Sequence, residues 1–292
     1  MSYRPHETLL HEARERPELW RFLLGVVLVL MVWFALGLLS DLVFIPAVLS
    51  LAGGADVQTG TDPAGMSLRL GSFFYAILAV GLVLQSLHAR SLASLTGPGA
   101  RLLRQGGRVL RVQLVLLVLV ALLPPYDMGA PLVPNLPFAP WLALLPLSLL
   151  LVLIQCSAEE ILFRGYLQQG LAARFKSPLV WIGIPSALFG LGHYMPVMAG
   201  ENAWLIVASS ALYGVVLADL TARSGSLGPA IAVHFANNIW SLLVVATPTG
   251  LNGLALYLHP FAMSEAALRH WLLVDLVMIL VCWLAARLVL RV

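Results

Sequence analysis

Residues 155–166 read QCSAEEILFRGY and place Glu159, Glu160 and Arg164 inside a run otherwise built of Leu, Val, Ile and Phe. Charge inside a bilayer is costly, so three charges within one hydrophobic stretch imply a use for them. The rest of the chain shares the apolar character. Of its 292 residues 60% are hydrophobic and 11% charged, with a mean hydropathy of +0.91. A soluble domain averages about 45–50% apolar and about 25% charged residues. The chain is therefore an integral membrane protein. Continuous apolar runs, rather than alternation, predict an all-α polytopic bundle and exclude a barrel.

Outward from this stretch, about eight spans are expected, at residues 22–51, 70–87, 109–123, 141–174, 179–198, 203–220, 229–246 and 268–290. Most approach the roughly 20 residues that a crossing needs. The amino-terminal segment is polar, with a short surface helix expected between His6 and Trp20. The first span lacks a small-residue cleavage site and is read as a retained anchor. Eight spans put both termini on one side. Arg90, Arg101, Arg104, Arg108, Arg111, Arg174, Lys176 and Arg223 fall on that side too, while the loops bearing Asp56, Asp62 and Asp127 fall opposite. The positive-inside rule makes the common side the cytoplasm. The net charge of +3 is distributed by topology, so no nucleic-acid partner is expected. Cys156 and Cys282 are too few for a disulfide framework and read as buried small hydrophobes.

Four polar sets lie within the spans: Glu159, Glu160 and Arg164; His193; Asp219; and His234 with Asn238. Glu160 and Arg164 are four apart and share a helix face, so they can pair. Glu159 points about 100° away and is left to meet another helix. His234 and Asn238 also share a face. Glu159 lies 15 residues before Arg174 and His193 lies 15 after Pro178, so both reach a similar depth. Asp219 is expected to flank the basic turn beside Arg223, and His88, His259 and His270 to be interfacial. One carboxylate, two imidazoles and an amide can converge in the membrane. Such a group suits hydrolysis: a carboxylate can take a proton from water, and an amide can donate to an oxyanion. Two histidines with a glutamate are also a zinc-ligand set, here His193, His234 and Glu159. No HExxH, GxSxG or GxGxxG occurs, which leaves soluble-hydrolase and nucleotide readings unsupported.

Three motifs stand in order: EEILFR at 159–164, FGLGH at 189–193 and HFANN at 234–238, with flanks FRGYLQ and SGSLGPAIAVH. Together they resemble the type II CAAX prenyl endopeptidases and their bacterial relatives, the CPBP (Abi) intramembrane proteases, whose pattern is EExxxR, FxxxH and HxxxN on different helices. The resemblance covers about a third of the chain, with a motif core at 150–243 inside a single membrane domain of 1–292. It implies an endopeptidase cutting a membrane-associated protein or peptide. Glu159 then activates water with help from His193. His234 and Asn238 stabilise the oxyanion or bind metal, and Glu160, Arg164 and Phe189 support the site. It leaves open whether zinc or glutamate-activated water does the chemistry. The bacterial inner membrane, with both termini cytoplasmic, is the expected location. The competing reading is a non-catalytic scaffold or a bacteriocin-immunity protein on the same fold, in which the motif residues serve only as helix–helix glue.

Overall fold

The computed structural model describes residues 3–46, 59–123 and 131–292. Among these, each expected span corresponds to a helix. We label them α1 (Leu19–Leu39), α2 (Pro63–His88), α3 (Gly99–Ala121), α4 (Phe138–Ala172), α5 (Pro178–Leu191), α6 (Ala203–Ser224), α7 (Gly228–Ile239) and α8 (Ala267–Leu290). The last stretch of the first expected span, Pro124, Pro125, Asp56 and Asp127 lie outside the described residues. Among the described residues five helices, counting the extensions of α1 and α6, are long and apolar enough to cross a membrane. α3, α5 and α7 are shorter in their apolar part or more charged. The chain is thus an all-α polytopic membrane protein. Its outer surface is apolar, with Phe34, Leu119, Leu150 and Val277 all exposed. That is the arrangement a lipid solvent rewards, since backbone polar groups are satisfied inside each helix and side chains need not be polar outside.

Several helices loosen into π-turns, at Ser40–Phe44, Leu84–His88, Ile161–Leu167 and Trp240–Val244. Such turns concentrate at functional positions; one directly follows Glu160 and another begins two residues after Asn238. α7 packs on α3 and α4, and α6 lies against α5, α7 and α8. A small sheet of β1 (Val133–Pro134), β2 (Val245–Ala246) and β3 (Tyr257–Leu258), ordered β1-β3-β2, caps one end of the bundle. The fifth span is shorter than its expected 179–198. α5 ends at Leu191, before His193, and breaks at Ile182. Pro196 opens the next short helical turn. Proline disfavours helix in the residue before it, and Met195 is accordingly non-helical; α5 has already ended four residues earlier, so His193 lies in the turn between.

The expected surface helix between His6 and Trp20 is also corrected. Residues 4–14 form short helical turns that dock on the bundle, burying His6, Leu9, Leu10 and Ala13. The physical reason is Trp181, whose ring meets Tyr3 edge-on at 5.3 Å and His6 at 4.9 Å. Asp219 completes the dock. It accepts from the Tyr3 hydroxyl at 2.8 Å, from Arg223 Nε at 2.8 and 2.9 Å and from Trp283 Nε1 at 2.9 Å. The amino-terminal segment, α6 and α8 therefore meet at one carboxylate, whose expected pairing with Arg223 is only part of its role. His88 is buried rather than interfacial, its Nε2 2.9 Å from the Tyr166 hydroxyl.

Two outcomes follow from this packing. A Cβ at Gly190 would lie 2.6 Å from the Val207 carbonyl oxygen and 2.8 Å from Ala211 Cβ, so α5 and α6 approach only because glycine stands there. Gly190→Val should lower the thermal unfolding midpoint in detergent by the equivalent of about 1–3 kcal/mol. Gly183→Ala, which meets open space, should not lower it; equal midpoints for both would contradict the packing. Burial lowers the His6 imidazole to about 4 from an ordinary 6.5. The undocked segment then binds the proton more tightly, so docking is intact above about pH 6.5 and weakens as pH falls towards 4. Limited proteolysis should nick residues 3–18 faster at pH 4.5 than at pH 7, and His6→Phe should abolish that difference.

Candidate active site

The acid pair ends the regular part of α4, and the π-turn Ile161–Leu167 begins directly after it. Glu160 and Arg164 are both buried, and Arg164 Nη1 donates to Glu160 Oε1 at 2.8 Å. Arg164 Nη2 reaches the Gly214 carbonyl on α6 at 3.2 Å, and its guanidinium lies 4.5 Å over the Phe189 ring of α5. One side chain thus ties three helices together. The same Glu160 oxygen lies 2.8 Å from His234 Nδ1 on α7. A carboxylate only accepts, so Nδ1 carries the hydrogen. His234 Nε2 then faces Glu159 Oε2 at 3.6 Å. The two acids, 100° apart on an ideal helix, reach opposite nitrogens of one imidazole that crosses in front of them.

Phe189 is the common neighbour of the three motifs. Its ring stands 4.8 Å from His193, 5.9 Å from His234 and 5.2 Å from Phe163. His193 sits in the turn just past α5 and is half-buried, with Nδ1 2.9 Å from the Phe189 carbonyl oxygen. That oxygen can only accept, so Nδ1 donates and a neutral His193 keeps its Nε2 lone pair free. Asn238 Nδ2 donates to Gln155 Oε1 at 2.8 Å, leaving a second amide hydrogen. Glu159 Oε2 and Glu160 Oε2 are buried without a hydrogen-bond partner in the described structure. Such orphaned acceptors are expensive away from a site that uses them.

Every residue named from the three motifs is therefore drawn towards one centre, with Glu159, Glu160, Arg164, Phe189 and His234 in direct contact chains and His193 and Asn238 at its edges. Sequence reasoning missed Gln155 and Tyr213. Gln155 stands one turn before Glu159 and orients Asn238, a spacing visible in the chain. Tyr213 lies edge-on to His234 at 5.7 Å and comes from α6, 21 residues away in sequence, with no local signal. Cys156 is buried as expected, its thiol 3.3 Å from Gln155 Oε1. Both imidazoles have Nδ1 held by an oxygen acceptor, the orientation that metal-bound histidines take. Among the described residues, however, no three His, Cys, Asp or Glu side chains come together as a group that could hold a metal ion. His193, His234 and Glu159 are not assembled as a closed donor set.

The fold and site together define a polytopic helical membrane protein with a buried carboxylate–imidazole–guanidinium centre. Residues 140–240 match the family model described as type II CAAX prenyl endopeptidase Rce1-like, and the resemblance read from the three motifs holds over that segment. A protein of Bacillus subtilis (strain 168), the uncharacterized protein YyaK, is 33% identical over 111 residues. That stretch is 38% of this chain and spans 37% of the length of YyaK. No solved structure matches.

The contacts separate the two acids by role in folding. Glu160→Leu strips a buried guanidinium and an imidazole of their shared partner and should cost about 3–5 kcal/mol. Adding Arg164→Met should restore much of that loss, because the unpaired buried charge goes with it. Glu159→Gln keeps the shape and breaks no hydrogen bond, so its effect should stay below about 1 kcal/mol. Unfolding midpoints of the three variants in one detergent check the order; a Glu159→Gln loss as large as that of Glu160→Leu would contradict it.

Proposed function

We propose that this chain is an intramembrane endopeptidase that hydrolyses a peptide bond of a membrane-associated protein or peptide with water activated by Glu159 and His193. The observation that carries the reading is the meeting of three motifs from α4, α5 and α7 around Phe189 and His234. It is supported by the family match over 140–240. In this reading Glu159 Oε2 takes one proton as water attacks the carbonyl carbon, and the free Nε2 of His193 accepts a hydrogen bond from the water's other O–H. His234, held by Glu160, and the second N–H of Asn238 donate to the oxyanion. A preorganised donor in a dry site is worth far more than in water. As the tetrahedral intermediate collapses, the proton on Glu159 passes to the leaving amine. Arg164 does no chemistry; it holds Glu160 in place.

With His234 protonated, Glu159, Glu160, Arg164 and His234 carry formal charges that sum to zero, which suits a site with little water. The whole chain, 1–292, acts as one membrane domain with its motif core at 150–243. The arginine-bearing end, where both terminal segments lie, faces the cytoplasm by the positive-inside rule. A bacterial inner membrane is the setting proposed.

The test is cleavage of a membrane-peptide library, read by mass spectrometry, by wild type, Glu159→Gln and His193→Gln purified in lipid. Each variant should fold and lose activity by about 10²–10⁴-fold. Normal cleavage by either variant overturns the reading. Activity that persists in a strong chelator supports glutamate-activated water. Activity lost on chelation and restored by zinc would replace it with a metal-assisted reaction on His193, His234 and Glu159.

A further inference from the structure

A second polar feature lies apart from the catalytic centre, at the end of the bundle capped by the small sheet. Asp275 is the ninth residue of α8, about 12 Å along a helix rising 1.5 Å per residue. Its neighbours Leu273, Val274 and Val277 are exposed and apolar. Asp275 makes no hydrogen bond or ion pair with any described residue. Segments 47–58 and 124–130 contain no Lys, Arg or His, and Arg269, six residues away, is bound to Asn202 at 2.9 Å and Glu201 at 3.1 Å. A carboxylate at membrane depth normally has a partner, and this one lacks a cation from its own chain.

Asp275, itself exposed, stands at the open side of a cavity of about 270 Å³ that it lines with Trp240, Ser241, His259, Phe261 and Trp271. The rings form a wall: His259 stacks on Phe261 at 5.0 Å and meets Trp271 at 4.9 Å, and Phe261 and Trp271 are 6.1 Å apart. His259 Nδ1 is buried without a partner, and burial lowers this imidazole below its ordinary range, so the ring is neutral and does not repel a cation. Aromatic faces around a carboxylate are a chemistry for positive charge. The volume suits one side chain or head group rather than a whole drug-sized molecule.

The position selects between those two. His234, Asn238 and Ser241 recur at helical spacing along α7 and the π-turn Trp240–Val244. The stripe that carries the catalytic imidazole and amide therefore runs on into the cavity wall. From His234 to Ser241 the helix rises about 10 Å, the reach of about three residues of extended peptide. We infer that the cavity lined by Asp275, Trp240, Phe261 and Trp271 is a specificity subsite that takes a lysine or arginine side chain of the peptide substrate, about three residues from the bond that is cut. This rests on the protease reading for the word substrate, while the binding it claims is measurable without cleavage.

The experiment uses full-length protein carrying Glu159→Gln, in lipid nanodiscs, and two dye-labelled alanine-based octapeptides that differ only by lysine or norleucine at one position. Anisotropy should show the lysine peptide binding about tenfold or more tightly, and Asp275→Asn should bring the two within about twofold. Trp271→Leu, a second variant that leaves the charge in place, should also weaken the lysine peptide. Equal binding of the two peptides, including failure of both, overturns the subsite. So does a lysine preference that survives Asp275→Asn. The inference is likewise overturned if an ethanolamine-headgroup vesicle lipid, but neither peptide, binds in an Asp275-dependent way, because the site is then a lipid site. Cleavage of the norleucine and lysine peptides by the chain with Glu159 intact is scored separately, so indifferent cleavage defeats the subsite and leaves the protease reading standing.

Discussion

Glu160 is the constraint on which the rest depends. A carboxylate with no exposure inside a membrane protein must be compensated on the spot, and Arg164 and His234 do so through one oxygen. Arg164 cannot lose its charge and must in turn be satisfied, which draws in the Gly214 carbonyl and the face of Phe189. The burial of one charge therefore fixes the relative placement of α4, α5, α6 and α7. Close approach of α5 and α6 at Gly190 and Gly214 is the steric condition for the arginine to reach across.

The same compensation orients the site. Because Glu160 holds the Nδ1 hydrogen of His234, the opposite nitrogen is aimed at Glu159 rather than free to rotate. Glu159 is only partly enclosed and keeps an unpartnered oxygen. Two adjacent glutamates thus differ through their surroundings alone: one is consumed by structure and the other left available. His193 lies outside the helix, its Nδ1 tethered to the Phe189 carbonyl of its own turn.

Much of this was legible in the chain. Eight apolar runs, the i to i+4 pairing of Glu160 with Arg164 and the shared face of His234 and Asn238 are local patterns, and local patterns survive folding. What escaped was non-local or broke periodicity. Asp219 binds Tyr3 across 216 residues and Trp283 across 64, and nothing near it announces either partner. The docked amino-terminal segment looks polar in sequence but buries Leu9, Leu10 and Ala13 and sets Tyr3 and His6 against Trp181. Ideal 3.6-residue geometry separated Glu159 from Glu160, whereas an imidazole spanning both made them converge. α5 ended at Leu191, so His193 lies in a turn rather than on the helix. Asp275 was passed over because one acid in a long apolar span makes no motif.

The central claim, that Glu160 accepts the Nδ1 hydrogen of His234 and so sets the site, is tested most directly by ¹⁵N NMR of histidine-labelled protein in nanodiscs at neutral pH, compared with Glu160→Gln and with His234→Gln for assignment. The account predicts His234 protonated at Nδ1, His193 protonated at Nδ1 with a bare Nε2, and a change confined to the His234 signals in Glu160→Gln. A His234 whose Nδ1 bears no hydrogen in the wild-type protein would contradict it.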